Sequence, residues 1–268
     1  FSSSLQEAVQ LRATMKQDLQ KALSREEFKI YYQPQIKVAD NSLGGVEALL
    51  RWQHPKLGLL SPSAFMNIAE ETGLIVDIGS WVLREACGQM KRWQDRCPGK
   101  HQKLSLAVNL SAVQVKSHTL GEVIKSVISA FSFGLGCLEL EITESALIQD
   151  ASATVALLNE ITEQGIVLSL DDFGTGYSSL EHLKLFPISV LKIDRGFVSA
   201  IGQDKKGEQL LVAIIAFARA LEMKVIAEGI ENKEQAEFCA LHGCDLLQGY
   251  YYACPIPADE FERMFLLH

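Results

Sequence analysis

The sequence predicts an α/β fold: a modified (β/α)8 TIM-like barrel with an antiparallel first strand. Short apolar runs alternate with helical segments, and a chain of 268 residues is long enough for eight strands and their helices. The runs are rich in Val, Ile and Leu, which indicates strands buried on both faces of a parallel sheet. An open doubly wound sheet is the alternative, but it typically has a glycine-rich phosphate loop after its first strand, where this chain has QPQI.

The amino-terminal segment predicts an amphipathic helix over 5–24, interpreted as a linker helix (residues 1–24) before a barrel domain (residues 25–268). Strands at 28–33 and 43–52 follow, separated by a turn too short for a helix, so we expect them to pair antiparallel. Further strands are predicted at 104–110, 138–143, 166–172, 189–194, 224–229 and 245–250, and helices at 62–72, 77–96, 119–131, 151–164, 178–185, 207–222, 232–242 and 258–267.

Composition limits the classes of function. The formal net charge is −8 and no basic stripe is present, which argues against a nucleic-acid polymer as partner. No run of about 18 apolar residues occurs, so we expect a cytoplasmic domain, with a membrane anchor in a longer parent left open. The chain begins FSSSLQ without Met or a signal-peptide pattern, which favours a fragment of a longer protein. The cysteines form no CxxC pair and indicate free thiols.

Polar residues mark the ends of most predicted strands. They are Glu47, Asn109, Glu141, Asp171, Asp172, Lys192, Asp194, Glu228 and Gln248. The carboxyl ends of parallel barrel strands open onto one face, which carries the active site in TIM barrels. Carboxylates crowded there would repel one another, so cations must hold them ionised. Oxygen ligands without His or Cys favour Mg²⁺ or Mn²⁺.

The stretch VLSLDDFGTGYSSL places Asp171 and Asp172 side by side at a strand end. A regular strand would point them to opposite faces, so we predict that the strand stops there and lets both reach a pair of metal ions. Two-metal sites favour in-line phosphoryl displacement, which predicts phosphodiester hydrolysis. A Schiff base at Lys192, as in barrel aldolases, is the competing chemistry; it needs a depressed lysine pKa, which neighbouring carboxylates oppose.

Seven ordered motifs resemble those of the EAL-domain family, bacterial phosphodiesterases that open cyclic di-GMP to linear pGpG. They are EALLR (47–51), VNLS (108–111), EITES (141–145), DDFGTGYSSL (171–180), LKID (191–194), AEGIE (227–231) and QGYYYACP (248–255). The resemblance extends over residues 18–266 and implies a modified β/α barrel with an antiparallel first strand. It departs at Cys254, where the family often carries a basic residue; we interpret Cys254 as a neutral substitution at the pocket rim, with a redox switch as the alternative.

The resemblance also implies roles for individual residues. Glu47, Asn109, Glu141 and Asp171 would bind a first metal ion, and Asp171, Asp172 and Glu228 a second. Lys192 would orient the attacking water, and either Lys192 or Glu228 would take its proton. Arg51 would bind a substrate phosphate, Gln33, Asp194, Glu231 and Gln248 would line the nucleotide pocket, and Glu144 would anchor the loop after Asp172.

The same resemblance leaves two classes of function open, an enzyme and a catalytically silent cyclic di-GMP receptor. Every expected ligand position holds a carboxylate or an amide, which favours the enzyme, with Mg²⁺ or Mn²⁺ as cofactor and Ca²⁺ as an expected inhibitor. The family further implies a homodimer through the loop and helix at 173–185, and an upstream sensory or cyclase domain in the full-length protein.

Overall fold

Eight strands close into a barrel in the computed structural model, which describes residues 2–97, 104–131, 134, 136–148, 151–174 and 185–267. In chain order the strands are β1 (Phe28–Lys37), β2 (Leu43–His54), β3 (Gly58–Leu60), β4 (Ser105–Leu110), β5 (Leu138–Thr143), β6 (Val167–Phe173), β7 (Val190–Ile193), β8 (Lys224–Ala227), β9 (Leu246–Leu247) and β10 (Ile256–Pro257).

The strand pairing confirms the predicted barrel. Strands β2 and β4 to β9 run parallel in chain order, and β1 closes the ring by pairing antiparallel with β2 and β9. The short strands β3 and β10 pair antiparallel with β2 and β1 and were not predicted. Ring closure excludes the open doubly wound sheet and places the carboxyl ends of the parallel strands on one face.

Most of the predicted helices are present, but three predicted segments differ or lie outside the described residues, and the short helices Ala112–Val115, Glu144–Ile148 and Arg195–Val198 were not predicted. The helices are Ser2–Ala22, Met66–Glu71, Ile75–Arg96, Ala112–Val115, Leu120–Phe131, Glu144–Ile148, Ala151–Glu163, Arg195–Val198, Lys205–Ala220, Lys233–His242 and Ala258–Phe261. The predicted helix at 62–72 is a 3₁₀ turn (Pro62–Ala64) and a separate α-helix, interrupted at Phe65. The last predicted helix becomes a π-helix over Glu262–Leu266. The predicted helix at 178–185 lies outside the described residues except for Leu185, which is in a turn.

The second half of the amino-terminal helix packs against the barrel. Met15 and Leu19 are buried in the core, and Asp18 Oδ2 lies 3.3 Å from Nε2 of His54 at the end of β2. The 1–24 and 25–268 domain boundaries stay a prediction. Within the described ranges, no helix is long and apolar enough to cross a bilayer.

A group of aromatic rings fills the space between β1 and two helices outside the barrel wall. Trp93 lies with its ring centroid 4.8 Å from that of Tyr32 and 5.1 Å from that of Phe261. We call Tyr32, Trp93 and Phe261 the aromatic cluster. All are buried, so they fix the helix Ile75–Arg96 and the carboxyl-terminal helix against β1.

Candidate functional site

The carboxyl ends of the strands bring four carboxylates around one buried ammonium group. Nζ of Lys192 on β7 lies 2.6 Å from Oε1 of Glu141 on β5 and 2.6 Å from Oε1 of Glu228, just after β8. Glu47 on β2 lies 3.6 Å from the same nitrogen, and Asp171 on β6 lies 3.8 Å away. We call these five residues the carboxylate mouth.

Lys192 is held as a cation in this mouth. Its side chain is 1 % exposed, and burial alone would lower its pKa. Asp171, Glu141, Glu228 and Glu47 outweigh that effect and raise the pKa of Lys192 well above its usual value. A Schiff-base lysine needs the opposite shift, which argues against the aldolase chemistry.

The pKa values of the carboxylates shift in different directions within the mouth. Burial, reinforced by the charge of Glu47, raises the pKa of Glu141 well above its usual value. Burial also raises the pKa of Glu228, to about 8. Burial acts on Glu47 in the same direction, but Lys192 and hydrogen bonds from Gln248 and Asn109 leave the pKa of Glu47 lowered. The single positive charge of Lys192 is therefore too small to neutralise all four acids of the mouth.

The donor atoms of the mouth fit divalent cations. Both carboxylate oxygens of Glu141 are buried and receive no hydrogen bond of good geometry from the described residues, although Oε1 lies beside Lys192. Oxygen donors of this kind suit Mg²⁺ or Mn²⁺. Among the residues that the structure describes, no three His, Cys, Asp or Glu side chains are placed to hold a metal ion, and the acids of the mouth surround Nζ of Lys192 instead. Cation binding therefore requires these side chains to move.

The adjacent aspartates are accommodated by a backbone irregularity inside β6. Asp172 has a φ of 56°, and the pairing of β6 with β7 shifts register between Leu170 and Phe173. The backbone nitrogen of Asp172 donates to Oδ1 of Asp171 at 3.0 Å. The predicted strand end at residue 172 was wrong by one residue, since β6 continues to Phe173. The left-handed residue breaks the alternation of faces that would separate the two carboxylates in a regular strand.

A chain of amides orients Glu47. Asn109 Nδ2 donates to its Oε1 at 2.7 Å, and Gln248 Nε2 donates to its Oε2. Gln248 also donates to Oε1 of Gln33 at 3.0 Å and accepts from Gln35 at 3.1 Å. Gln35 was not predicted as a site residue, although the alternation of Gln33, Pro34 and Gln35 along β1 indicates two amides on one face.

The predicted substrate residues gather only in part. Gln33, Asp194, Glu231 and Gln248 line one cavity of about 240 Å³ together with Glu47, Asp171 and Glu228. Arg51 is outside that lining; its guanidinium carbon lies 5.6 Å from the centre of the Tyr31 ring, and its Nη1 donates to the carbonyl oxygen of Leu50. Arg195 and Tyr250 also line the cavity and were missed by the sequence reading. The run of three tyrosines after Gly249 was the available signal for Tyr250.

The predicted loop anchor contacts the start of its loop. Oε2 of the buried Glu144 accepts a hydrogen bond from the backbone nitrogen of Gly174 at 3.4 Å. The rest of that loop, at 175–184, lies outside the described residues, and so does most of the predicted dimer segment at 173–185. None of the six cysteines, all of which the structure describes, is in a disulfide, as predicted, and Cys254 is exposed.

The model of the EAL domain family matches residues 16–255. The chain belongs to the EAL domain family. That match covers the barrel, the carboxylate mouth and the tyrosines that follow Gln248, and it confirms the resemblance found in the sequence.

Named relatives carry the same domain within longer chains. The chain is 43 % identical over 260 residues to the bifunctional diguanylate cyclase/cyclic di-GMP phosphodiesterase MucR of Pseudomonas aeruginosa, covering 97 % of this chain and 38 % of MucR. It is 37 % identical over 254 residues to the cyclic di-GMP phosphodiesterase NbdA of the same organism, covering 94 % of this chain and 32 % of NbdA. The chain thus spans about a third of the length of these relatives.

A solved structure has the same fold. The PaMucR phosphodiesterase, in a complex with c-di-GMP, superposes with a TM-score of 0.87 at 43 % sequence identity. The match covers 92 % of this chain and 99 % of that one, so the barrel described here is the whole of the compared domain.

Proposed function

We propose that this chain is a metal-dependent phosphodiesterase that hydrolyses cyclic di-GMP to linear 5′-pGpG. The observation that carries the proposal is the carboxylate mouth, where Glu47, Glu141, Asp171 and Glu228 face one buried Lys192. The names of MucR and NbdA and the c-di-GMP complex of PaMucR support the choice of substrate.

Two Mg²⁺ or Mn²⁺ ions would be held by the acids of the mouth together with Asn109 and Asp172. We assign Glu47, Asn109, Glu141 and Asp171 to one ion and Asp171, Asp172 and Glu228 to the other. When bound, such ions supply the Lewis acidity that activates water near neutral pH and stabilises charge on the reacting phosphate. Ca²⁺ should inhibit, because its longer and looser coordination spoils the geometry of in-line attack.

Lys192 and Glu228 have different roles toward the proton of the attacking water. Lys192 keeps its proton among the four acids, so it can donate to a water or phosphate oxygen but has no lone pair with which to accept a proton. Glu228 lies 2.6 Å from that ammonium group, and its carboxylate has the lone pairs that the ammonium group lacks. We therefore assign Glu228 as the proton acceptor and Lys192 as the group that orients the attacking water.

The remaining residues would bind the nucleotide. Gln33, Asp194, Glu231 and Gln248 present amide and carboxylate groups along the cavity, where they can pair with guanine edges. Arg51, stacked over Tyr31, offers a guanidinium group to a phosphate. Glu144 would hold the loop after Asp172 in place through the Gly174 backbone.

A catalytically silent cyclic di-GMP receptor is the second candidate function. A receptor needs neither a complete set of metal ligands nor a buried lysine among them. This chain has a carboxylate or an amide at every position where the family resemblance implies a metal ligand, and Lys192 is buried among them. We further propose a homodimer through 173–185, an upstream sensory or cyclase domain in the full-length protein, a cytoplasmic location for this domain and no nucleic-acid polymer as partner.

The direct test is nucleotide hydrolysis by the isolated chain with Mg²⁺, Mn²⁺, Ca²⁺ or chelator. We expect conversion of cyclic di-GMP to pGpG with Mg²⁺ or Mn²⁺ and none with Ca²⁺ or chelator. Glu47→Ala and Glu228→Gln should remain folded and inactive, whereas Glu237→Gln on an exposed helix face should match the parent. Equal hydrolysis by parent, Glu47→Ala and Glu228→Gln would refute the proposal, and binding without turnover by the parent would favour the receptor.

A further inference from the structure

Asn109 is exposed, whereas the other five proposed metal ligands are buried or partly buried. Its strand β4 pairs with β5 as far as Leu110, but the pairing of β4 with β2 ends at Val108. Among the described residues, its side chain is held by the hydrogen bond from Nδ2 to Oε1 of Glu47 at 2.7 Å. The position of Asn109 therefore depends strongly on the backbone turn that follows it.

A capping box fixes that turn. Ser111 is the N-cap of the helix Ala112–Val115, and its Oγ accepts a hydrogen bond from the backbone nitrogen of Gln114 at 3.3 Å. In return, Oε1 of Gln114 accepts a hydrogen bond from the backbone nitrogen of Ser111 at 3.1 Å. A helix of a single turn needs such contacts, because helix nucleation is unfavourable. The capping box therefore holds the backbone two residues after Asn109 in place.

The side chain of Gln114 is seated against the neighbouring helix Ile75–Arg96. It is buried, and a Cβ atom added to Gly79 of that helix would lie 1.9 Å from Nε2 of Gln114. Glycine in the interior of a helix lowers stability relative to alanine, and here it leaves the space that the amide of Gln114 occupies. Gln114 thus connects the helix Ile75–Arg96 to the turn after Asn109.

Close packing does not fix this turn by itself. Asn109, Ser111, Gln114 and Gly79 all line a cavity of about 320 Å³, so one side of the turn faces open space. The two hydrogen bonds of the capping box are directional contacts that define the turn on that side.

We propose that Gln114 is a positioning residue for the metal site, acting through Ser111 on Asn109, an inference that rests on the proposed function. Loss of the Gln114 side chain removes the acceptor for the Ser111 N–H, so Asn109 is no longer held where it can bind a cation. Partners that orient a metal ligand typically contribute about 10- to 100-fold to metal affinity. The carboxylate ligands stay in place, so excess cation should restore turnover.

The test measures Mn²⁺ binding by calorimetry with and without the product pGpG, hydrolysis of cyclic di-GMP as a function of Mg²⁺, and thermal unfolding. We expect Gln114→Ala to raise the Kd for Mn²⁺ about 10- to 100-fold, and the Mg²⁺ concentration for half-maximal turnover by a similar factor. The value of kcat at saturating Mg²⁺ should stay within about threefold of the parent.

Asp204→Ala is the matched control. It removes an N-cap hydrogen bond, from the backbone nitrogen of Lys206, at the start of the helix Lys205–Ala220, which contains none of the proposed site residues. We expect Asp204→Ala to lower the unfolding temperature, as loss of a helix cap does, and to leave the Kd for Mn²⁺ unchanged.

Further variants test the route from Gly79 through Gln114 to Ser111. Ser111→Ala lacks the capping hydroxyl and should weaken Mn²⁺ binding, whereas Ser111→Thr retains a hydroxyl and should bind as the parent does. Gly79→Ala places a methyl group against the Gln114 amide, which must move, so this variant should also bind Mn²⁺ more weakly. In Gly79→Ala/Gln114→Ala the methyl group has space, so the double variant should bind no more weakly than Gln114→Ala.

The outcomes separate this inference from the proposed function. An unchanged Kd for Mn²⁺ in Gln114→Ala, an equal rise in Asp204→Ala, or a loss of kcat that saturating Mg²⁺ does not restore overturns the role of Gln114 while hydrolysis by the parent stands. If Gln114→Ala does not fold, equal Kd values for Ser111→Ala and Ser111→Thr overturn it. A parent that binds Mn²⁺ without cleaving cyclic di-GMP overturns the phosphodiesterase proposal, and the Kd series still tests Gln114. A parent that binds no Mn²⁺ in either condition overturns both.

Discussion

The carboxylate mouth and the aromatic cluster both reach into the interior and are chemically opposite, although Asp171 and Glu228 of the mouth are only partly buried. Glu141 and Lys192 are each 1 % exposed, and so is Trp93, whereas Phe261 is fully buried. In the cluster, rings pack on rings. In the mouth, four acids face a single ammonium group, and burial raises the pKa values of two of them, Glu141 and Glu228.

The difference separates residues that maintain the fold from residues that serve a reaction. Burying aromatic surface favours folding, by about 25 cal/mol for each Å² removed from water. Burying ionised groups costs several kcal/mol per ion before any pairing is counted. We therefore expect the mouth to lower the stability of the metal-free chain.

The largest expected effect is on turnover, from a single atom exchange in the mouth. Glu141→Gln should reduce hydrolysis of cyclic di-GMP by about 10³-fold or more, because it removes a charged ligand that touches Lys192. Glu139→Gln is the matched control: Glu139 is buried on the same face of β5 but forms no ion pair with Lys192 among the described contacts. We expect it to keep turnover within about threefold of the parent. Equal losses of turnover in Glu141→Gln and Glu139→Gln would show that the substitutions act by destabilising β5 instead.

Removal of a ring from the aromatic cluster should act on stability alone. Trp93→Ala should lower the free energy of unfolding by about 3–5 kcal/mol through the cavity it leaves. Urea unfolding measures this loss, and kcat per folded molecule should not change. Trp93→Phe should cost less, since Nε1 of Trp93 has no hydrogen-bond partner to lose among the described residues. A fall in kcat for folded Trp93→Ala would contradict the claim that the aromatic cluster acts on stability and not on turnover.

Divalent cations should stabilise the chain through the mouth and not through the cluster. At a free Mg²⁺ concentration 100 times Kd, the parent should gain about 2.7 kcal/mol in the free energy of unfolding. Trp93→Ala should gain the same increment, while Glu141→Gln should gain little. Thermal unfolding with Mg²⁺ and with chelator measures these increments, and an undiminished gain in Glu141→Gln would argue that the ions bind elsewhere.

The smallest expected effect comes from a substitution of Cys254, near the rim of the cavity. Cys254 is exposed and follows Tyr250, which lines the cavity, in the sequence. Cys254→Lys should lower KM for the anionic substrate by about fivefold at most, an effect that salt weakens, and should leave the unfolding temperature unchanged. A larger gain that persists in high salt would show a direct contact with the substrate.

The sequence was sufficient to predict the barrel and most of the mouth. Strand periodicity and the shared direction of parallel strands bring Glu47, Glu141, Asp171 and Lys192 to one face, and this needs no knowledge of side-chain packing. The antiparallel first strand followed from a turn too short for a helix between β1 and β2.

The features of the site that the sequence did not predict depend on contacts between distant parts of the chain, which no local sequence pattern encodes. The left-handed backbone at Asp172 arises where the pairing of β6 with β7 shifts register, and β7 is a separate strand later in the chain. The hydrogen bond from Gln35 to Gln248 joins residues that are 213 positions apart. Glu139 and Glu141 are equivalent in the pattern LELEIT, and only the position of Lys192 distinguishes them.

The most direct test of the account is a crystal of the chain grown with Mn²⁺ and cyclic di-GMP, measured at the manganese absorption edge. We predict two anomalous peaks about 3.5–4 Å apart, coordinated by Glu47, Asn109, Glu141, Asp171, Asp172 and Glu228, with Asp171 between them. Nucleotide bound with no manganese within coordination distance of these side chains would contradict the account.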